Sequence, residues 1–574
     1  MPEHGYQAPR LTMLFFWCVA LAALGLTAFG SVQGFSPVPY WDMWDGQLAF
    51  YLNLREAGLA AWWDQHNEHR ILLTRLFFFT DLHWLNGSGW LLILVNHLLA
   101  VSAAILFIGA LRSALSESRD RLLGPALAPL LFAWLLLWTQ HENLLWGFQI
   151  QFFLAQLLPA LALFLLYRSS YSSPINITFI AACGAGVAAL GTMANGVVAL
   201  PLMALLAIVT RQGVFRTAIL VALAIIGPIA YFYGFNAVES HGSLSSALGD
   251  NPIRLVRYVF LYLGSPFFYL AGGGTQGSYL ATAAGAFMVA ATAFTGIRFL
   301  LGPRRLTIEA AMLTFVVFIV GTAVATAGGR VTFGLEQALS SRYTTPALIG
   351  WAALLVAHAR TLVMLPAAAR ATLLAAAAVL AVAIVIHQLQ ALDPEGHQAF
   401  ERDAAALPLA LQIHDPERTQ RVYPDSKTAL DLARRARDAG VTVFAEPPLR
   451  DAPQLLEKAE ELGPVSNCLA FLDSYQALPF EPSFAYITGW VHAPDLRRTP
   501  QTLQILDSRG KAVGIGITGR YRPDVAETIG PDARHTGFSG YIEVSALTDD
   551  LTVQGIGTTR CRGPLPGMHT QKAH

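Results

Sequence analysis

The sequence predicts a polytopic α-helical membrane protein of about eleven transmembrane helices, ending in a soluble α+β region that closes with a β-sandwich. Three observations predict it. Of 574 residues, 54% are hydrophobic and only 13% charged, and the mean hydropathy is +0.46; ordinary soluble domains carry about 25% charged residues. Apolar runs of about 20 residues, enough for a hydrocarbon core roughly 30 Å thick, recur through the first 390 positions. Beyond residue 390 the composition becomes that of a soluble domain.

The spans are placed at 11–31, 89–111, 122–140, 145–167, 175–192, 196–210, 215–235, 279–301, 308–328, 346–364 and 371–389. The pair 175–192 and 196–210 is short and meets at Gly191-Thr-Met-Ala-Asn-Gly196, so it reads as a hairpin or a broken span. The first run lacks an Ala-x-Ala cleavage site and is read as a retained signal-anchor. With the N-terminus inside, the inner loops hold Arg10, then Arg112, Arg119 and Arg121, then Arg168, Arg211 and Arg216, then Arg298, Arg304 and Arg305, and finally Arg360 and Arg370. Each is basic and poor in acid, as orientation by loop arginines requires. An odd number of spans then places residues 390–574 outside.

The domain reading follows: 1–389 membrane-embedded, with 32–88 as a long first outer loop; 390–464 a helical connector; 465–562 a β-sandwich; 563–574 a disordered tail. In the first loop Leu48, Tyr51, Leu52, Leu59 and Trp62 recur at helical spacing, the pattern of a helix lying in the membrane interface. Residues 236–278 are read as an outer loop holding His241, Asp250, Arg254 and Arg257. From 465 onward, short alternating runs (485–491, 502–506, 512–517, 540–544 and 551–556) are separated by turn residues, which is the strand signal.

Most of the chemistry-bearing residues sit in that first loop, in Pro39-Tyr-Trp-Asp-Met-Trp-Asp-Gly46 and in the run from Trp62 to Arg75. Asp42 and Asp45, set among Tyr40, Trp41 and Trp44, would be partly desolvated, which raises carboxylate basicity and suits a general base; interface acids capping a helix are the alternative. His66, Glu68, His69 and Arg70 read as a polar wall of a binding site. Their spacing lacks the i, i+4 histidine pair of a helical zinc box, so no metal site is assigned, with a divalent metal or a solvated loop as the alternatives. Glu142 is a second acid at the outer end of a span. Arg254, Arg257, Arg330 and Arg342 stand in outer loops otherwise poor in positive charge, where guanidinium forks suit a phosphate; Arg342, with Tyr343 beside it, is the leading candidate, a salt bridge or lipid headgroup the alternative. Net charge zero gives no reason to expect nucleic acid as a partner.

In layout, residues 11–389 resemble the GT-C superfamily of integral-membrane glycosyltransferases: a first span, then a long outer loop with an acid near its start and interfacial helices. The turn Gly191-Thr-Met-Ala-Asn-Gly196 is similar to the Leu-Thr-Lys-Gly turn of aminoarabinose-transferase-like members, with Asn195 where those carry lysine. The resemblance implies transfer of a sugar from a polyprenyl-phosphate donor to a glycan or lipid-linked acceptor, among membrane lipids. It implies a bacterial inner membrane and a periplasmic C-terminal region. The family's first-loop acid maps to Asp42, with Asp45 nearby, and its second-loop acid to Glu142; Asn195 falls among the substrate contacts. No cofactor follows from it. The β region resembles sandwich modules appended to carbohydrate enzymes.

Two other functions stay open on the sequence: a transporter or flippase for a lipid-linked glycan, disfavoured because the spans carry almost no ionisable groups, and a non-catalytic glycan-assembly component. Finally, Cys468 and Cys561 lie in or beside the first and last strands of the region placed outside, where oxidation is permitted, and are expected to form a disulfide; two separately buried thiols are the alternative. Cys18 and Cys183 fall inside apolar spans.

Overall fold

The computed structural model describes residues 4–118, 120, 122–170, 175–236, 242, 244–392, 396–547 and 550–567. The expectations for Arg119, Arg121, His241 and tail residues 568–574 lie outside the described residues. The chain forms two compact units. One gathers Met1–Ser31, Leu59–Phe77 and Leu92–Leu392; the other gathers Val32–Gly58, Phe78–Leu91 and Asp393–His574.

The first unit is helical. Among the described residues, nine helices are long and apolar enough to cross a membrane: Arg10–Gln33, Trp90–Ala114, Leu123–Leu145, Gly147–Ser169, Val214–Phe232, Gly274–Leu301, Ile308–Phe333, Ser341–Val363 and Ala367–Ala391. They are compatible with a multi-pass membrane protein. The other two expected spans are the shorter helices Ile177–Gly191 and Ala194–Val209, each roughly 22–24 Å long at 1.5 Å per residue and so short of the hydrocarbon thickness. Gly196 closes the turn between them: a Cβ there would fall on the Ala189 carbonyl.

Inside the apolar bundle, polar side chains tie helices together, as they do where water cannot compete. Gln388 donates to Thr27 Oγ1 at 2.9 Å and accepts from the Trp138 amide at 2.5 Å. The Trp134 and Trp351 indoles donate to the carbonyls of Leu348 and Leu263, each at 2.9 Å.

One helix was not expected. Pro252–Leu270, read from sequence as loop, is a 19-residue helix capped by Asn251, which accepts from the Arg254 amide. It buries Leu255, Tyr258, Val259 and Tyr262, an i, i+3, i+4, i+7 stripe, and leaves Ile253, Arg254, Val256 and Arg257 exposed. The turn into Gly274–Leu301 runs through Gly272, Gly273 and Gly274, all at positive φ, where only glycine is unstrained. The two helices then touch backbone to backbone, since a Cβ at Gly264 would overlap the Ala281 carbonyl and one at Gly285 that of Phe260.

The second unit joins short helices to a sheet. Asp425 caps Ser426–Asp438 by accepting from the Lys427 and Thr428 amides, and that helix buries Ala429, Leu432, Ala433 and Ala436. They share a core with Val38, Trp44 and Leu48 of the first loop, Leu82, helix His397–Leu411, and Ile515 and Tyr541 of the sheet.

The sheet has eight strands: β1 Ser466–Asn467, β2 Leu469–Ala477, β3 Phe484–His492, β4 Thr502–Leu506, β5 Ala512–Arg520, β6 Gly537–Glu543, β7 Thr552–Ile556 and β8 Cys561–Pro564. Their spatial order is β1-β8-β7-β4-β5-β6-β3-β2. This corrects the expected two-layer sandwich. The strands form one sheet that curls until its ends meet, because β1 and β2 are consecutive and β1 pairs parallel with β8. The Cys468 amide donates to the Arg562 carbonyl and the Leu472 amide to that of Pro566, so 563–567 is also ordered, not part of a disordered tail. Cys468 and Cys561 are disulfide-bonded across this seam.

Candidate functional site

In the first unit five segments converge. The loop from Asp64 to Ile71 turns tightly at Asn67, which has φ +47°, a left-handed conformation that asparagine tolerates. Reciprocal amide bonds between His66 and His69, 2.8 and 2.9 Å, close the turn. Arg70 holds its base. Its guanidinium donates to the carbonyls of Tyr231, Tyr233 and Trp63 and lies over the Trp63 ring, so all three nitrogens are committed to backbone. Arg70, expected in a binding wall, acts here as the post on which the loop is hung.

The turn presents Glu68 and His69. Arg330 Nη2 donates to Glu68 Oε1 at 3.0 Å. His69 Nδ1 accepts the Ala194 amide at 3.2 Å, which puts the ring proton on Nε2, 3.8 Å from Glu68 Oε1. His66 packs against Phe148; burial above all, with His69 and Arg75 adding to it and Glu68 opposing, pulls its pKa down to about 4. It is a neutral imidazole at physiological pH. Among the described residues, no three His, Cys, Asp or Glu side chains are grouped to hold a metal ion.

Next to Ala194, Asn195 donates to Thr322 Oγ1 at 3.3 Å. Thr322 is on Ile308–Phe333, two turns before Arg330. Helix Pro252–Leu270 brings Tyr258, which is fully buried and stands within electrostatic range of Arg330, Arg342 and Tyr343. Its hydroxyl has no hydrogen-bond partner among the described residues, and neither has Asn195 Oδ1. Buried polar atoms are rarely left so unless a ligand or water completes them. Tyr343 packs on Tyr262 and Phe152, and the Arg342 guanidinium lies over the Tyr343 ring.

Glu142 sits on the short helix His141–Leu145, which is stapled to the segment bearing Arg342. The Glu142 amide donates to Ser341 Oγ at 3.2 Å, Ser340 Oγ approaches Glu142 Oε2 at 3.5 Å, and Asn143 Nδ2 donates to the Arg342 carbonyl at 2.8 Å. The structure thus groups Glu68, His69, Asn195, Arg330, Arg342 and Tyr343, with Glu142 on the adjoining segment. It leaves Arg254 and Arg257 on the exposed face of the helix whose buried face carries Tyr258.

The remaining expected acids, Asp42 and Asp45, belong to the second unit. Two backbone irregularities bracket Asp42. Trp41 holds φ +47° while its amide donates to the Val422 carbonyl at 2.7 Å, and Trp44–Ala49 is wound as a π-helix. Both features cluster at functional positions. Trp44, fully buried, packs on Tyr423 and Phe444. The Tyr423 hydroxyl is 2.8 Å from both Asp45 oxygens and within electrostatic range of Asp42 and Asp425. Burial raises the Asp45 pKa; the Tyr423 bond opposes that and Asp425 adds to it.

Sequence reasoning missed Tyr258, Tyr423, Asp81 and Asp403. Asp81 is fully buried, takes the Gly89 amide, and is pushed by burial up to about 6. Asp403 accepts from Ser36 at 2.7 Å and is raised to about 6 by burial, against the lowering by that bond and by Arg402. A lone aspartate after the apolar run Leu76–Thr80 was the one signal that could have marked Asp81.

Compared with protein-family models, with curated proteins and with solved structures, the chain finds no match in any of the three.

Proposed function

We propose that the chain is a membrane glycosyltransferase of GT-C type, moving a sugar from a polyprenyl-phosphate donor to a glycan or lipid-linked acceptor. The observation that carries this reading is that Arg330 and Arg342, at the ends of two apolar helices, both lie within electrostatic range of buried Tyr258, whose hydroxyl has no hydrogen-bond partner among the described residues. A lipid phosphate needs its chain in an apolar layer and its headgroup against fixed donors at that layer's edge. A guanidinium has five N–H donors, so the bond from Arg330 to Glu68 leaves it others to offer.

In the reaction the acceptor hydroxyl oxygen attacks the anomeric carbon and the bond from that carbon to the phosphate oxygen breaks. The leaving polyprenyl phosphate takes the electron pair, and Arg330 and Arg342 stabilise the charge that grows there. The acceptor proton goes to a carboxylate. Glu142 is the acid this unit offers beside Arg342; Asp42 is the acid that the resemblance favours, and the two are separated by substitution.

The Cys468–Cys561 disulfide supports placing the second unit in an oxidising compartment, the bacterial periplasm. The arginine-rich loops at Arg112, Arg168, Arg211 and Arg298 support the opposite side as cytoplasmic.

The test is titration of the detergent-purified chain with undecaprenyl phosphate, and transfer assays with undecaprenyl-phosphate-linked sugars. Binding that Arg342→Ala and Arg330→Ala both weaken, together with release of the sugar from the lipid, is the expected result. Unchanged binding in both variants, or no consumption of any such donor, overturns the reading.

A further inference from the structure

The outer face of the curled sheet packs against helices over part of its area, and beyond that part Phe471, Thr488 and Trp490 are half-buried. Around Phe484, Tyr486, Ile515 and Tyr541 it packs against the helices of the same unit, and Arg418 lies over the Tyr486 ring at 4.0 Å. Further along β3 the outward residues are Thr488 and Trp490, which belong neither to that core nor to the core inside the sheet. Opposite Trp490 in register is Phe471 of β2 on one side and Gly537 of β6 on the other. Two aromatic side chains therefore stand abreast on this face, with no side chain from β6 against the indole.

A charged group completes the surroundings. The stem of Arg522 passes over Gly537, where a Cβ would lie 3.0 Å from Arg522 Cγ. Its guanidinium reaches Asp473 Oδ2 at 2.5 Å and Asp524 Oδ2 at 2.7 Å. Asp473 belongs to β2 and Gly537 to β6, so the guanidinium crosses β3 at the level of Trp490 and Thr488. Asp473 is presented by a bulge between Leu472 and Ser474, a device that re-aims side chains. The next outward pair, Ser474 and Thr488, joins its hydroxyls at 2.8 Å.

From this we infer that the Phe471–Trp490 face of the sheet, with Asp473, Ser474, Thr488 and Arg522, is a binding site for a neutral saccharide chain. A pyranose ring has one or two faces of C–H groups rimmed by hydroxyls. Aromatic faces take the C–H side out of water, while fixed donor and acceptor pairs take the rim. Arg522 and Asp473 supply such a pair, already oriented by each other, so little ordering is left for binding to complete. Charge selects the class of sugar. Arg522 stands against Asp473 and Asp524, while Arg520, which also passes close to Gly537, is paired with Glu401, so the site is net negative and repels phosphorylated or uronic-acid chains. A lipid chain would leave the rim groups without partners. The inference is independent of any transfer reaction in the first unit.

The experiment uses the full chain in lipid nanodiscs, titrated calorimetrically with cellohexaose, mannohexaose, chitohexaose and laminarihexaose, and with hexagalacturonate as the acidic probe. At least one neutral chain is expected to bind with a Kd of about a millimolar or tighter. Trp490→Ala should weaken it about tenfold or more, and Trp490→Phe by no more than about threefold, since the ring face is kept. Asp473→Ala, at a partly exposed bulge, should weaken it about fivefold with melting temperature and disulfide unchanged, which reads the site even where Trp490→Ala fails to fold. Absence of binding by all four neutral chains, preference for hexagalacturonate, or affinity unchanged in both Trp490→Ala and Asp473→Ala overturns the assignment.

Discussion

Arg330, at the end of an apolar helix, donates to Glu68 in a hairpin turn 262 residues earlier, at 3.0 Å. Both side chains are about a quarter to a third exposed, at 27% and 30%, and such pairs are worth about 0–1 kcal/mol. The bond matters more for where it holds the guanidinium than for stability. Glu68→Gln should therefore shift the melting temperature little. Arg330→Ala should also leave folding intact but weaken undecaprenyl-phosphate binding about tenfold or more. A variant that melts earlier yet binds the lipid phosphate as before would show a structural pair only.

The base is tested by two substitutions in parallel. Loss of a general base costs about a hundredfold or more in turnover. Glu142→Gln or Asp42→Asn should show that loss, with donor binding retained. Asp45→Asn should have a smaller effect, since that carboxylate is already engaged by Tyr423. Wild-type transfer in both Glu142→Gln and Asp42→Asn would remove these two carboxylates as the base.

Asp81 makes stability depend on pH in a set direction. Its folded pKa of about 6 lies above the ordinary carboxyl value because burial disfavours the charge. The folded state thus binds the proton more tightly than the unfolded chain does. The sign follows: stability from this group is greatest below about pH 4 and is lost as pH rises through 6, by about 1–3 kcal/mol. Asp81→Asn keeps an acceptor for the Gly89 amide and has no charge to bury. It should raise the melting temperature at pH 7 and flatten its slope between pH 4 and 6. An unaltered slope would mean that Asp81 is not the group responsible.

Cys468 and Cys561 are both fully buried, so the bond should resist reductant until the sheet opens. A link across 93 residues is worth about 4–5 kcal/mol by loop closure. Cys468→Ser with Cys561→Ser should lower the melting temperature of the second unit and leave that of the helical unit unchanged. Non-reducing peptide mapping of protein taken from the membrane should recover the linked pair; free thiols at both positions would contradict it.

Legibility in the sequence followed the physical signal each element carries. Continuous apolar length is read directly, so the nine long helices stand out, whereas Ile177–Gly191 and Ala194–Val209 enter the count of eleven only as a hairpin or broken span, because apolarity does not measure length finely. Pro252–Leu270 was invisible to the same test. Its apolar stripe is interrupted by Arg254 and Arg257, so it looks like loop until its period is followed through Tyr258 and Tyr262. Alternation marked the strands of the sheet but is identical for a sandwich and a curled sheet. What separates them is the pairing of β1 with β8, a contact between residues nearly a hundred positions apart. At the site, the arginines that the sequence reading assigns to outer loops are legible because orientation rules make positive charge costly there. Tyr258 and Tyr423 were not, because a tyrosine among aromatics looks like core until its hydroxyl is seen.

The seam of the curled sheet bears on self-association. An open sheet ends in strands whose unpaired amides and carbonyls can template a neighbouring chain. Here the first strand bonds to the last and Leu472 continues the contact to Pro566, so that ladder is spent within the molecule. The stretch of β2 beyond Leu472 begins at a bulge, which breaks the flat register that a second copy would need. Membrane proteins are crowded against their own kind in two dimensions, and a domain without a usable rim can stay separate there.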